Sequence, residues 1–500
     1  MSLVRRNVIA NAAGSGWALL VSLAAVPFYI RFLGIEAYGL IGVFLSLTAI
    51  FSLLDFGLRA TINRRMAQLS AIAGAEQEMR DLLRTLEFIY WGTGFTIGAT
   101  VLLLAPLLSV YWIKPEVLSV SDIDHGLTMI GFVIACQWPL ALYSGGMMGL
   151  QKQVTLNLVA STFATVRSLG AVLVLWQVAP TLQAFFAWFI ALSLGETLVT
   201  RYLLWRQLPA SVGRAKFSGK ILASLWRFAA GITGISILSI ILTQLDKVIL
   251  SAALSLTAFG YYTLAWRVAA AILSLSGPIS TAFFPRFAQL AVDRDEGELA
   301  HLYHKGSQLA SVLVLPVALV LVFYGEDFLY LWTHDHVIAS NSSQMLGLLA
   351  LGTAVNGLMG LPVALQLAYG WTRLVLMVGT TAVVLLAPMI YIMSIKFGGV
   401  GAAWTWLALN LGYMTFMLKI MHWKLLPGEL RSWFVEDTGV PFLAAFTLVM
   451  LWQWAIGSPL SYSMMLLNLV GVSIFTLAAA ALAAPHFRTV LLRRFLTRPA

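Results

Sequence analysis

Charge is what this chain has least of. Only 10% of its 500 residues are Asp, Glu, Lys or Arg, while 60% are hydrophobic. A soluble domain carries about 25% charged residues, so this composition excludes a water-soluble globular protein. No stretch between the apolar runs is long enough for a sizeable soluble domain. Cysteine is almost absent. Cys136 stands alone in an apolar run, which excludes an intramolecular disulfide and a zinc site built on cysteines. A phosphate-binding loop is lacking too: Gly398-Gly399-Val400-Gly401 follows no strand and carries no lysine. Acidic residues are fewer than basic ones, giving a net charge of +10. The Lys and Arg residues lie in short loops between apolar runs, so nucleic acid is not an expected partner.

What is there is a series of long apolar runs. A membrane-spanning helix needs about 20 apolar residues. Fourteen candidates fit, at roughly 8–32, 38–58, 86–112, 126–149, 154–178, 182–205, 226–252, 259–283, 307–332, 343–368, 373–396, 400–423, 439–457 and 461–484. The charged start with Arg5 and Arg6 has the order of a signal peptide. The run behind it is too long for one, and it reads as an uncleaved first helix. Every second loop is basic, among them those with Arg59, Arg64 and Arg65, with Arg80 and Arg84, and with Arg214, Lys216 and Lys220. The opposite loops hold Glu116, Asp122, Asp124 and Asp335. The bias of Lys and Arg towards the cytoplasm puts both termini inside.

Residues Leu33 to Leu69 return 221 positions later as Leu254 to Leu290. Ala37-Tyr38-Gly39 becomes Ala258-Phe259-Gly260, and Arg65-Met66-Ala67-Gln68-Leu69 becomes Arg286-Phe287-Ala288-Gln289-Leu290. Repeated halves are how many transporters build a pathway. The expected fold is an all-α polytopic membrane protein with two six-helix lobes, related by a pseudo-two-fold axis along the membrane normal. The N-lobe is 1–207, the linker 208–225 and the C-lobe 226–424. An additional helix pair at 439–484 and a basic tail at 485–500 complete the chain.

Pro27, Pro139, Pro278, Pro316, Pro362 and Pro388 fall inside the spans and mark kinks. Gly145 and Gly149 have the G-x-x-x-G spacing that permits close helix contact. Ionisable groups inside spans are costly, and they face a cavity or a partner. Arg167 lies near the middle of the fifth span. Arg267 lies about 12 Å into the eighth at 1.5 Å per residue. Arg31, Lys247 and Arg59 lie near span ends. One reading is a cationic lining for an anionic cargo, since a guanidinium offers phosphate two parallel hydrogen bonds. The other is internal neutralisation, Arg167 by Glu196 for instance, with Asp55 and Arg59 forming a local ion pair. Glu196, Asp55 and Asp246 are the candidate coupling carboxylates for Na+ or H+, and no cofactor is expected. His334-Asp335-His336 has the composition of a metal cluster but lacks further ligands nearby.

The chain resembles bacterial lipid-linked oligosaccharide flippases of the O-antigen (Wzx) type, in the multidrug/oligosaccharidyl-lipid/polysaccharide exporter superfamily. The resemblance runs through Asn7, Asn11, Gly14, Pro27-Phe28, Leu33-Gly34, Tyr38-Gly39-Leu40 and Leu54-Asp55-Phe56-Gly57-Leu58. It continues in Gln244-Leu245-Asp246-Lys247-Val248-Ile249-Leu250, Gly260-Tyr261-Tyr262 and Phe397-Gly398-Gly399-Val400-Gly401. It implies a MATE-like fold, with a cavity lined by the first, second, seventh and eighth spans, and alternating access. It also implies an undecaprenyl-pyrophosphate-linked glycan as cargo, in the inner membrane, beside a polysaccharide polymerase and a chain-length regulator. The last two helices depart from the twelve-helix members and resemble the arrangement of lipid II flippases. A multidrug cation antiporter of the same superfamily and a membrane polysaccharide polymerase or ligase are the alternatives.

Overall fold

A computed structural model describes residues 3–211, 213–293, 295–456 and 461–488, the side chains of 3–5, 8, 224–236 and 239 excepted. The described residues form helices and turns, with no strand among them. Hydrocarbon offers backbone groups no water to bond, so a spanning segment closes its hydrogen bonds within itself. The protein is an all-α, multi-pass membrane protein.

Twelve helical stretches among the described residues are long and apolar enough to cross a membrane. Fourteen were expected, and two places account for the difference. The stretch Thr372–Leu425 is counted once, although Gly398 breaks its helical path with φ 60° and ψ −143°. Gly219–Ala253, a 35-residue helix, stands outside the twelve. The tail beyond Arg488 and the side chain of Arg5 lie outside the described residues.

Contacts divide the chain into two compact units, Met1–Gly260 and Tyr261–Ala500. The first holds α1 (Leu3–Leu33), α2 (Ile35–Phe51), α3 (Leu58–Leu69), α4 (Glu76–Tyr111), α5 (Val120–Gln137), α6 (Leu140–Gly149), α7 (Gln153–Gln177), α8 (Leu182–Gln207) and α9 (Gly219–Ala253). The boundary falls inside α10 (Leu256–Ala270). Because α9 packs on α2, α3 and α4, this unit runs past the linker.

The segment of Arg59, Arg64 and Arg65, expected as a loop, is helical. After Phe51 the chain tightens into a 3-10 turn, Ser52–Asp55, and Phe56 and Gly57 then take left-handed φ angles of 47° and 73°. A left-handed non-glycine residue costs about 1–2 kcal/mol. Asp55 holds the bend: its carboxylate accepts the Arg59 backbone N–H at 3.2 Å and the Tyr90 hydroxyl. The chain restarts as α3, with Leu58, Ile62, Met66 and Leu69 buried along one face against α6. The approach needs glycine. A Cβ on Gly145 would lie 2.8 Å from the Arg59 carbonyl oxygen, and one on Gly149 2.5 Å from that of Asn63. The second copy of the repeat is built alike: α10 stops at Ala270, and α11 (Leu273–Asp293) follows. The two copies begin with reciprocal contacts, since a Cβ on Gly39 would collide with the Leu256 carbonyl and one on Gly260 with that of Ile35.

The polar linker is strapped along α4. Gln77 Nε2 donates to the Arg214 carbonyl at 3.1 Å, and Ser211 Oγ donates to Gln77 Oε1 at 2.6 Å. Arg80 donates to the Pro209 carbonyl at 2.9 Å. Asp81 accepts the Lys216 N–H at 2.7 Å, and Thr85 Oγ1 that of Ser218 at 2.9 Å. Residues 77, 81, 85 and 88 share one helix face. There Phe88 meets Phe217 edge-on at 6.0 Å.

The second unit continues with α12 (Glu296–Phe323), α13 (Gly325–Thr333), α14 (His336–Leu358), α15 (Gly360–Ala368), α16 (Thr372–Gly412), α17 (Leu418–Leu425), α18 (Leu430–Ser432), α19 (Val440–Ile456) and α20 (Tyr462–Ala483). Helix α12 packs on α11, α14, α19 and α20. The final pair buries Ala445, Val449, Val472 and Ala480 against Val312, Leu319 and Val320 of α12. A polar clamp fixes that pair. His304 of α12 contacts Asp437 at 2.5 Å and Glu429 at 3.0 Å. Gln308, one turn on, donates to the other Asp437 oxygen at 3.0 Å and accepts the His486 N–H at 3.0 Å. Asp437 sits in a π-helical stretch, Trp433–Gly439, that widens the helix before α19.

Pro139 separates α5 from α6, and Pro27, Pro278, Pro316 and Pro388 lie within helices. Pro362 is the third residue of α15.

Replacing Gly149 by Val is expected to push α3 off α6 and to cost about 1–3 kcal/mol, read as a lower thermal midpoint of the purified protein. His304→Ala leaves Asp437 buried without its imidazole. It is expected to cost about 3–5 kcal/mol, whereas Leu102→Ala, at an exposed position of α4, leaves the midpoint unchanged.

Candidate functional site

The charges within the spans fall into two groups. In the first group they are already paired. Arg167 of α7 donates to Glu196 of α8 at 2.6 Å, with the two side chains 18% and 9% exposed. Its guanidinium lies over the Phe189 ring at 5.9 Å, and the Trp188 indole donates to its backbone carbonyl at 3.3 Å. This is the internal neutralisation weighed above. Lys247 of α9 donates to both carboxylate oxygens of its neighbour Asp246, at 3.0 and 3.1 Å, and to the Thr243 carbonyl at 2.8 Å. Asp246 and Lys247 are buried. Asp55 meets the backbone N–H of Arg59 where a side-chain ion pair was expected.

The second group is set apart by its place near helix ends. Arg31, in the last turn of α1, and Arg59, in the first turn of α3, are exposed. Arg267 is half-buried in the last turn of α10. Arg59 and Glu196 line one cavity of about 580 Å³ inside the first unit. Its other polar walls include Asn11, Gln137, Asn157 and Ser144. Asn157 reaches across to Asn11 at 2.5 Å, tying α7 to α1. The volume is that of a small-molecule pocket. Amides, hydroxyls, one guanidinium and one carboxylate can bond a polar solute through either donors or acceptors.

Besides Asp437 of the clamp, two buried carboxylates, Glu36 and Glu87, escaped the sequence reading. Glu36 accepts the backbone N–H groups of Glu116, Val117 and Leu118 at 2.6, 2.8 and 3.1 Å. These are main-chain donors that no residue pattern marks. Glu87 of α4 accepts from Tyr143, Arg201 and Trp205 on one oxygen, at 2.9, 2.7 and 2.9 Å, and from Arg84 on the other at 3.1 Å. Only the Arg84 partner, three residues away on the same helix, was open to pattern reading.

His334-Asp335-His336 is accounted for without a metal. His334 ends α13 in a left-handed conformation and pairs with the Tyr462 hydroxyl at 3.0 Å. Asp335 caps α14 by accepting the N–H groups of Val337 and Ile338. His336 stacks on Tyr330 with ring centres 3.7 Å apart.

Three comparisons with known proteins bear on this arrangement. The chain is 23% identical over 414 residues to a "Putative O-antigen transporter" of Shigella flexneri, covering 81% of this chain and 94% of that protein. The solved structure of the lipid II flippase MurJ, in an inward closed conformation, superposes with a TM-score of 0.72 at 12% identity, over 97% of this chain and 99% of that one. An inward-facing multidrug resistance MATE transporter of the MOP superfamily superposes with a TM-score of 0.64 at 16% identity, over 82% of this chain and 96% of that one. The fold is therefore the one expected, that of MurJ and the MATE transporters. The model of one sequence family, described as polysaccharide biosynthesis protein, matches residues 4–291. That is more than half of the chain, and the protein belongs to the polysaccharide biosynthesis protein family.

Proposed function

We propose that this protein is a flippase that carries a polyprenyl-pyrophosphate-linked oligosaccharide from the cytoplasmic to the periplasmic leaflet of the bacterial inner membrane, by alternating access. Both termini lie in the cytoplasm. One observation carries the reading: the likeness to a lipid flippase extends over 97% of the chain and so takes in α19 and α20, whereas the likeness to the multidrug transporter stops at 82%. The family's description as polysaccharide biosynthesis protein and the relation to an O-antigen transporter support a glycan as the head group. The relatives are transporters, and no enzymatic step is assigned.

The physical task is to spare a polar head from hydrocarbon. Each hydroxyl or amide moved there without a hydrogen bond costs several kcal/mol. Arg31, Arg59 and Arg267, which lie near helix ends, are the cations proposed for the pyrophosphate, and Arg167 and Lys247 balance Glu196 and Asp246. The lipid tail stays in the bilayer as the head passes. Outward transfer of negative charge is favoured by the membrane potential, at about 2.3 kcal/mol per charge per 100 mV. Glu196, which pairs with Arg167 and also lines the polar cavity, is the carboxylate proposed for coupling to Na+ or H+. A polymerase and a chain-length regulator are the proposed downstream partners.

Cells lacking the protein are expected to accumulate the lipid-linked oligosaccharide on the cytoplasmic leaflet, as measured by accessibility of the glycan to an impermeant probe in oriented vesicles. Normal sidedness with altered drug susceptibility would transfer the assignment to a multidrug antiporter. Normal sidedness with unpolymerised units outside would transfer it to a polymerase. In the complementation assay Arg59→Ala combined with Arg267→Ala is expected to abolish translocation at wild-type protein level, and full activity of that variant would remove the cationic binding role. Arg167→Gln alone strands a buried carboxylate and is expected to lower the thermal midpoint, while Arg167→Gln with Glu196→Gln regains most of it.

A further inference from the structure

Outside the cavity just described, a second opening of about 410 Å³ lies on the first unit between α4 and α8. Its back wall is Glu87, which is 3% exposed. That carboxylate is engaged on both oxygens. One serves Tyr143, Arg201 and Trp205, and the other serves Arg84. It thereby aims two guanidiniums. Arg84 spends Nη1 on it and Arg201 spends Nε. A guanidinium has five N–H donors in a rigid fork, so each keeps donors to spare. Both side chains are about two-fifths exposed, at 41% and 39%. The two cations outnumber the one carboxylate. Arg80, one turn before Arg84, adds a third cation over the Trp205 ring at 5.6 Å.

The rest of the opening is apolar. Phe88 and Leu198 line it and are 57% and 45% exposed. Trp91 is pinned by its indole N–H to the Tyr143 hydroxyl at 3.0 Å. Gly92 leaves open space where a side chain would stand. The arginines lie where the polar first turns of α4 give way to its apolar run, and near the opposite end of the apolar run of α8. That is the level of lipid phosphates at a membrane surface, where basic pockets between helices bind anionic head groups. A soluble anion would gain nothing from an exposed Phe88 and Leu198, whereas an amphiphile uses both halves of the opening.

We propose that Arg84 and Arg201, aimed by Glu87, bind the phosphate of an anionic membrane phospholipid, whose acyl chain lies over Phe88, Gly92 and Leu198. The site is separate from the translocation reading and does not depend on it.

The test is thermal unfolding of the purified full-length protein in neutral detergent, titrated with phosphatidylglycerol, phosphatidylcholine or inorganic phosphate. Phosphatidylglycerol is expected to raise the midpoint saturably, phosphatidylcholine to raise it less and inorganic phosphate not at all. In Arg84→Gln with Arg201→Gln the half-saturating lipid concentration is expected to rise at least about tenfold, the loss of about 1.4 kcal/mol. Because that variant strips Glu87 of its cations and can fail to fold, Gly92→Leu is measured beside it. It leaves the Glu87 contacts intact, fills the acyl path and is expected to weaken the same titration. An unchanged phosphatidylglycerol response in Gly92→Leu, or in a folded double-arginine variant, overturns the site. An equal response of the wild type to inorganic phosphate overturns the lipid and leaves a soluble-anion site.

Discussion

In hydrocarbon a charge must find its counter-charge inside the protein, and the rest of this structure depends on that requirement. Arg167 finds Glu196 one helix away, and Lys247 finds Asp246 one residue away. Glu87 gathers four donors from three helices. Removing one partner of such a pair costs more than the pair itself contributes, because a desolvated charge is left behind. The Arg167–Glu196 pair and the Glu87 cluster therefore fix helix contacts more sharply than apolar side chains can. Lipid tails are as apolar as leucine and give helices little reason to prefer one another.

Close approach is the second device. Gly145 and Gly149 let α3 lie on α6, with Leu58, Ile62 and Met66 sealed between them. Asp55 and the two left-handed residues behind it aim α3 at that groove. The bend, the carboxylate and the glycines thus form one unit, spread over about ninety residues of sequence. In the second unit the His304–Asp437 clamp plays the corresponding part, joining α12 to the start of α19 and, through Gln308, to the chain after α20.

Much of the fold was legible in the sequence, because it rests on local composition. Apolar runs of spanning length and the internal repeat identified a polytopic helical protein, and the glycine spacing identified a close contact. The candidate site was less legible, for a physical reason. Whether Arg167 is offered to a solute or held by Glu196 depends on which faces of α7 and α8 meet, and that is a tertiary contact which neither helix's own sequence states. The amphipathic α3 was hidden by its arginines, which read as a loop until the buried face at every third or fourth residue is seen against α6. Glu36 bonds to three backbone N–H groups, which every residue but proline offers alike. No pattern of side chains could have announced it.

The strap between α4 and residues 209–211 and 213–218 bears on how this segment meets solvent. By composition it is a linker between spans, the kind in which backbone slack is usual. Here the amides of Lys216 and Ser218 are each committed to a side chain of α4, and the carbonyls of Pro209 and Arg214 accept from the same helix. A protease needs several consecutive residues in extended, unbonded form before it can cut. This linker therefore offers a poor cleavage site for as long as the first turns of α4 remain wound.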